Sequence, residues 1–212
     1  GRGRANPIRF MLEETGTPYT ENFLTSKADL EKLRSDGLLM YNQVPLLQID
    51  GINLVQSDAC LRHLARKHDM LGKDHAESAL IDMVHAATLE LRAVCLPIPF
   101  MPLEERAPKF FAAVNSTIPK FLGPIDKLLS RSDTGFVAGG GVSLADVTLF
   151  ESVCFLLDFP FTTHAWFDKY SSVKKHVDMM KSRKQLGDYL KSDRSLPFPD
   201  DIYAATVRAT LS

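Results

Sequence analysis

The residues of this chain with the most chemistry in their types and spacing lie between Gln43 and Asp58. Gln43-Val44-Pro45 and Gln56-Ser57-Asp58 flank two short apolar runs, 46–49 and 52–55, with Asp50-Gly51 between them. Asp-Gly suits a type I′ turn, in which both central residues need φ > 0, so the segment predicts a β-hairpin. Pro45 has no N–H to give to a ladder; it belongs at the strand's first residue and leaves the Val44 peptide free to pair with something extended. Residues 59–65 then carry a helical pattern. The first N–H groups of a helix have no partner within it, so Ser57 beside them makes a carboxylate site. Taken alone, Gln43, Gln56 and Ser57 could equally do ordinary turn and N-cap work, and that alternative stays open.

The elements around this stretch must hold it in place. Residues 5–14 read as a helix with Pro7 in its first turn, Ile8, Met11 and Leu12 on one face, Arg4 at its N-terminus and Gly16 as its stop. Residues 19–24 are a candidate strand, and Ser26-Lys27-Ala28-Asp29 opens a helix through a capping-type pattern that ends at Gly37. After Leu71-Gly72-Lys73-Asp74, strand signals give way to 3.6-residue periods. Helices are expected over 75–96, over 103–130 with bends or restarts at Pro108 and Pro119, over 143–157 behind the capping box of Ser143 and Asp146, and over 167–181 and 185–190. A last helix from Asp200-Asp201 carries Tyr203, Val207 and Leu211 on one side. The expected organisation is an α/β domain over 1–70, a linker at 71–74 and an all-helical domain over 75–212.

Composition narrows the class of function. With 25 Lys and Arg against 26 Asp and Glu in 212 residues, the chain has no net field to draw nucleic acid or a membrane surface. Cys60, Cys95 and Cys154 lie in apolar helical surroundings without Cys-x-x-Cys spacing, which indicates neither a disulfide framework nor a metal site and suits a reducing cytosol. No apolar run reaches about 18 residues, so nothing in the sequence points to membrane insertion. The histidines show no ligand spacing, and Trp166 is expected to pack at a helix start.

Gln-Val-Pro, a two-strand hairpin and Gln-Ser-Asp before a helix resemble the glutathione-holding segment of cytosolic glutathione transferases. Gly1-Arg2-Gly3-Arg4, Leu33-Arg34-Ser35-Asp36-Gly37-Leu38-Leu39-Met40 and Pro197-Phe198-Pro199-Asp200-Asp201-Ile202-Tyr203 resemble the alpha class in particular, while Leu61-Arg62-His63-Leu64 and Gln56-Ser57 are also similar to the pi and mu classes. The match runs along nearly the whole chain. It implies a thioredoxin-like α/β N-terminal domain followed by an all-α C-terminal domain, a cytoplasmic homodimer, and glutathione as co-substrate with no metal. Relatives carry a short strand, ending near the catalytic tyrosine, just before the Gly-Arg-Gly-Arg segment; the resemblance therefore implies about ten residues ahead of Gly1. None of Tyr19, Tyr41, Tyr170, Tyr189 or Tyr203 stands where that tyrosine would.

The resemblance also implies roles. The Val44 backbone would pair with the cysteinyl part of glutathione, Gln56 and Ser57 would take its γ-glutamyl carboxylate, and Arg34 and Gln43 would lie near its glycyl end. Arg4 would assist the thiolate, since a free thiol titrates at about 8.5 and both positive charge and a helix N-terminus lower that value. Glu90 and Lys120 stand where relatives reach the neighbouring subunit's glutathione with an aspartate and an arginine; lysine lacks the bidentate fork, so a weaker contact or none is expected. Tyr41 would be the aromatic key inserted into a partner subunit, and Asp58 departs from the arginine that alpha relatives stack across the dimer axis. Leu96, Phe100 and Met101, with Val207 and Leu211 on the last helix, match the hydrophobic substrate pocket and its lid. Exposed helix charge is the open alternative for Arg4, Arg34, Glu90 and Lys120, a half-buried tyrosine at a strand entry for Tyr41, and a place in the core for each pocket residue. The implied activity is addition of the glutathione thiolate to an apolar electrophile, with organic-peroxide reduction from the same thiolate. The alternatives are a non-catalytic ligand-carrying or structural member, like the lens crystallins, and a glutathione-dependent isomerase.

Overall fold

The computed structural model describes residues 2–161 and 163–211; Gly1 of the opening segment lies outside the described residues. Helix α1 (Asn6–Glu14) takes Pro7 in its first turn, where a missing N–H costs nothing, and buries every one of its residues. Each of its charged side chains has a partner: Arg9 pairs with Glu21, the Tyr19 hydroxyl donates to Glu13 at 2.9 Å, and Arg183 and Arg194 reach Glu14 and Glu13, while Arg9 Nη1 and Glu14 Oε2 stay buried without a hydrogen bond among the described residues. Helix α2 (Lys27–Ser35) starts at the reciprocal capping box of Ser26 and Asp29. Strands β1 (Leu47–Ile49) and β2 (Ile52–Leu54) pair antiparallel, Leu47 opposite Leu54 and Ile49 opposite Ile52. Asp50 and Gly51 turn between them with φ of 52° and 76°, as a type I′ turn demands. Helix α3 (Ser57–Lys67) follows at once, two residues earlier than its apolar periodicity indicates.

The strand expected over 19–24 does not form, and the segment is irregular. An extended segment needs a neighbour to satisfy its N–H and C=O groups, and among the described residues only β1 and β2 pair. Side chains hold it instead, through Glu21, Tyr19 and the packing of Leu24 against the small cluster of Leu30, Leu39 and Val55.

Beyond Asp74, whose carboxylate caps Ala76 and Glu77 at 2.9 Å, the chain is helical: α4 (His75–Cys95), a 3₁₀ turn (Ile98–Phe100), α5 (Leu103–Asn115), α6 (Thr117–Leu129), α7 (Leu144–Leu157), a second 3₁₀ turn (Ala165–Phe167), α8 (Ser171–Ser182), α9 (Lys184–Lys191) and α10 (Asp201–Leu211). The 103–130 helix is two helices, broken at Ser116; Pro119 sits in the first turn of α6, where its missing N–H is tolerated. The helix expected from 167 starts at Ser171, because Asp126 of α6 accepts the N–H groups of Ser172 and Val173 at 2.7 and 2.9 Å and so caps α8 from across the domain. The Ser143 and Asp146 capping box forms as expected ahead of α7, a helix buried on nearly all sides.

The architecture is a thioredoxin-like α/β part carrying the small sheet, joined to an all-helical part. Their apolar core is shared: Ile8, Met11, Leu61 and Leu64 belong to one cluster with Ile81, Leu91, Phe150 and Val153. Helix α1 packs on α3 and α7, α4 lies along α7, and α10 returns to pack on α2. No helix among the described residues is long and apolar enough to cross a membrane.

Candidate active site

The start of α3 carries no side-chain cap, so the foremost N–H groups of that helix have no side-chain acceptor. Gln56 leads into it with φ 67° and ψ 111°, a conformation an L residue adopts only when its surroundings enforce it. The side chains expected to bind are brought together here. Gln56 Nε2 donates to Gln43 Oε1 at 3.4 Å, across the hairpin's ends. Arg34, on α2, donates through Nε and Nη2 to the Asn42 carbonyl at 3.3 and 3.1 Å, next to Gln43. Val44 precedes Pro45 through a cis peptide and packs partly on the small cluster beneath β1. Ser57 is the first helical residue.

Asp58, one residue on, turns away from this shelf. Its carboxylate meets His85 Nε2 of α4 at 2.6 Å and Arg62 at 3.3 Å. Partial burial raises the Asp58 carboxyl, but the His85 hydrogen bond and the charges of His85 and Arg62 outweigh it and leave the group below the ordinary carboxylate value. Burial dominates at His85 and pulls its imidazole below its ordinary value despite Asp58.

The mouth of α1 forms the second focus. The Arg4 side chain is exposed and has no partner among the described residues. The Gly3 carbonyl accepts from the Asn6 N–H at 3.1 Å and from Arg92 Nη2 at 3.1 Å. Tyr203 of α10 puts its hydroxyl 3.2 Å from where a Cβ on Gly3 would sit, so a side chain at Gly3 would crowd it. Burial raises the phenol, with Arg9 opposing, so Tyr203 keeps its proton near neutral pH.

Phe100 approaches this mouth through Tyr203. The Phe100 and Tyr203 rings lie 6.2 Å apart, Leu96 ends α4, and Met101 packs on the core. Val207 follows Tyr203 by one helical turn and is half-buried, whereas Leu211 is 43% exposed. Arg208 donates to the Phe100 carbonyl and Arg106 joins Asp201 at 2.6 Å, which ties α10 down at both ends. The remaining expected residues lie on open surface: Tyr41 is 58% exposed, and Glu90 and Lys120 pair with each other at 3.7 Å across α4 and α6.

Tyr203, the Asp58–His85 pair and the Gly3–Arg92 contact were not anticipated as parts of the site. The one sequence signal was Glu151, a charge inside the apolar run of α7. Burial pushes the Cys60 thiol up to about 11 and those of Cys95 and Cys154 up to about 12, which favours the protonated form of all three near neutral pH. Among the described residues, no group of three or more His, Cys, Asp or Glu side chains could hold a metal ion.

Comparison with known proteins bears on this geometry. Residues 1–66 match the family model "Glutathione S-transferase, N-terminal domain" and residues 97–193 the model "Glutathione S-transferase, C-terminal domain". Glutathione S-transferase 3 of Gallus gallus is 31% identical over 211 residues, which cover 100% of this chain and 91% of the relative. The chain belongs to the glutathione S-transferase family. Within the family it is alpha-like: Glutathione S-transferase alpha-5 of Rattus norvegicus is 39% identical over 71% of this chain and 68% of that one. Among solved structures, that described as "Structure of NaGST-2" superposes with a TM-score of 0.78 at 27% identity, covering 93% of this chain and 95% of that one. Gln43 and Gln56 of this transferase, its uncapped α3 and its α1 mouth all come from the part matched by the N-terminal model.

Proposed function

We propose that this transferase holds glutathione along residues 43–57 and adds its sulfur to a hydrophobic electrophile at the mouth of α1. The γ-glutamyl carboxylate sits on the uncapped start of α3 with Ser57 and Gln56, the cysteinyl backbone pairs with Val44, and Gln43 and Arg34 stand toward the glycyl end. The observation that carries this reading is the hydrogen-bonded approach of Gln43 and Gln56 beside a helix start without a cap. Arg4 favours the thiolate through its charge. The sulfur lone pair forms the new S–C bond, and with an aryl halide the halide leaves with the electron pair of the broken bond. Holding both reactants side by side supplies much of the acceleration. Leu96, Phe100 and Val207, with Leu211 at the end of the lid, form the apolar side. The same thiolate attacking an organic peroxide breaks the O–O bond, releases the alcohol and leaves a glutathione sulfenic acid, which a second glutathione converts to the disulfide and water; this is peroxidase activity.

The domain of residues 1–70 carries the glutathione surface and the helical domain of 75–212 the apolar one, with 71–74 between them. The working form is a cytoplasmic homodimer in which Tyr41 enters the partner and Glu90 and Lys120 reach toward its glutathione. Calorimetry with reduced glutathione, followed by conjugation of an activated aryl chloride, tests the reading. Saturable binding with turnover is expected. Binding without turnover would leave a ligand-carrying member of the fold, and glutathione-dependent rearrangement without conjugation an isomerase; absence of binding would end the proposal.

A further inference from the structure

We infer that Arg92 and Glu151 are positioning residues for this reaction, acting through the Gly3 carbonyl on Arg4. The inference rests on the proposed placement of the thiolate at the mouth of α1. Glu151 is fully buried in α7 and Arg92 is 7% exposed in α4. Glu151 Oε1 accepts from Asn6 Nδ2 at 2.7 Å, Oε2 takes Arg92 Nη1, and the guanidinium's other arm, Nη2, donates to Gly3 O at 3.1 Å. The same carbonyl accepts the Asn6 N–H, so Gly3 O is gripped from the helical part and from α1 together.

Stability alone is a weak account of this arrangement. A buried ion pair is often no better than two well-packed apolar side chains of the same volume, and frequently worse. What an apolar pair cannot do is hold a carbonyl. The peptide unit is planar and trans, so its C=O and N–H lie on opposite edges. Turning Gly3 O inward onto Arg92 turns the Arg4 N–H away from the clamp, where it has no acceptor among the described residues. The Arg4 side chain departs from the same fixed plane with its guanidinium exposed, and the Tyr203 hydroxyl lies over Gly3. The clamp therefore sets the direction of one positive group at the α1 mouth, the Arg4 N–H, and the point from which the second, the Arg4 guanidinium, departs. Arg2, on the other side of Gly3, reaches Asp158 and the Leu196 carbonyl and takes no part in the clamp.

The test uses the full chain with Arg92→Met and with the double change Arg92→Met/Glu151→Met, whose apolar pair is expected to melt no lower than the parent. The ultraviolet absorbance of the bound thiolate is titrated with pH, kcat/KM is measured across the same range, and affinity is measured for S-methylglutathione, which has no thiol to ionise. In both variants the apparent pKa of the bound thiol should rise by about one unit, with kcat/KM down about tenfold on the acid side and recovered above the new pKa. S-methylglutathione affinity should stay within about twofold of the parent, since residues 43–57 are untouched. Arg92→Lys should recover part of the shift. If the double variant folds and its thiol titrates as in the parent, or if S-methylglutathione affinity falls in step with activity, the positioning role is wrong. A parent protein that shows no bound thiolate at all would overturn the proposed function itself, a different result.

Discussion

Gln56 places a full side chain on a backbone that favours glycine, with φ at 67°. Strain of this kind costs roughly 1–3 kcal/mol and persists where surroundings or function hold it. Gln56→Gly should therefore leave stability to urea unchanged or raise it by up to about 1 kcal/mol, because the relieved strain outweighs the added chain entropy. Glutathione KM should rise about tenfold in the same variant through loss of the side-chain contact. A variant that loses both stability and affinity would show that Gln56 is there for packing. His85 allows a test by pH. Its folded pKa lies below the ordinary 6.5, so the unfolded chain binds the extra proton first and stability falls as pH drops through 6.5 toward the folded value. Asp58, with a folded pKa below 3.8, adds its own loss only at still lower pH. His85→Gln should flatten the decline in melting temperature between about pH 7 and 5. An unchanged acid limb would assign the decline to other groups.

Among the elements, α7 depends most on one local pattern. Ser143 and Asp146 cap it reciprocally while fully enclosed, and Asp146 Oδ1 also accepts from the Val137 N–H at 2.8 Å and from His176 Nε2 at 2.9 Å. Ser143→Ala should cost about 1–2 kcal/mol in urea unfolding. Asp146→Ala should cost more, about 3 kcal/mol or above, because it leaves several buried donors unmatched. Equal losses would mean that the long-range contacts of Asp146 contribute nothing. Ser26 with Asp29 and the Asp50-Gly51 turn were legible for the same reason, their partners lying within a few residues. The start of α8 was not legible, since its cap is Asp126, some 46 residues away. Nor was the fate of residues 19–24, whose β-prone composition says nothing about whether a neighbouring strand is at hand.

At the scale of the molecule, Tyr41 and Met40 stand 58% and 77% exposed on one loop, an aromatic and a flexible thioether presented together. If they seat in a partner, Tyr41→Ala should shift the protein toward monomer at micromolar concentration in sedimentation experiments while leaving the single-chain fold intact by circular dichroism. A parent that already sediments as a monomer would refute the dimer. The amino-acid sequence determined the hairpin, the two capping boxes, the run of helices after residue 74 and the grouping of Gln43 with Gln56 and Ser57. Each of these depends on dihedral preference or on partners close along the chain. Only the tertiary structure decided that α1 and the helical part share one core, that α10 returns to α2 and brings Tyr203 over Gly3, and that Arg92 and Glu151 reach the peptide ahead of Arg4. Those contacts join residues scores to hundreds of positions apart, and their energy exists only once packing has brought them within hydrogen-bonding or van der Waals range.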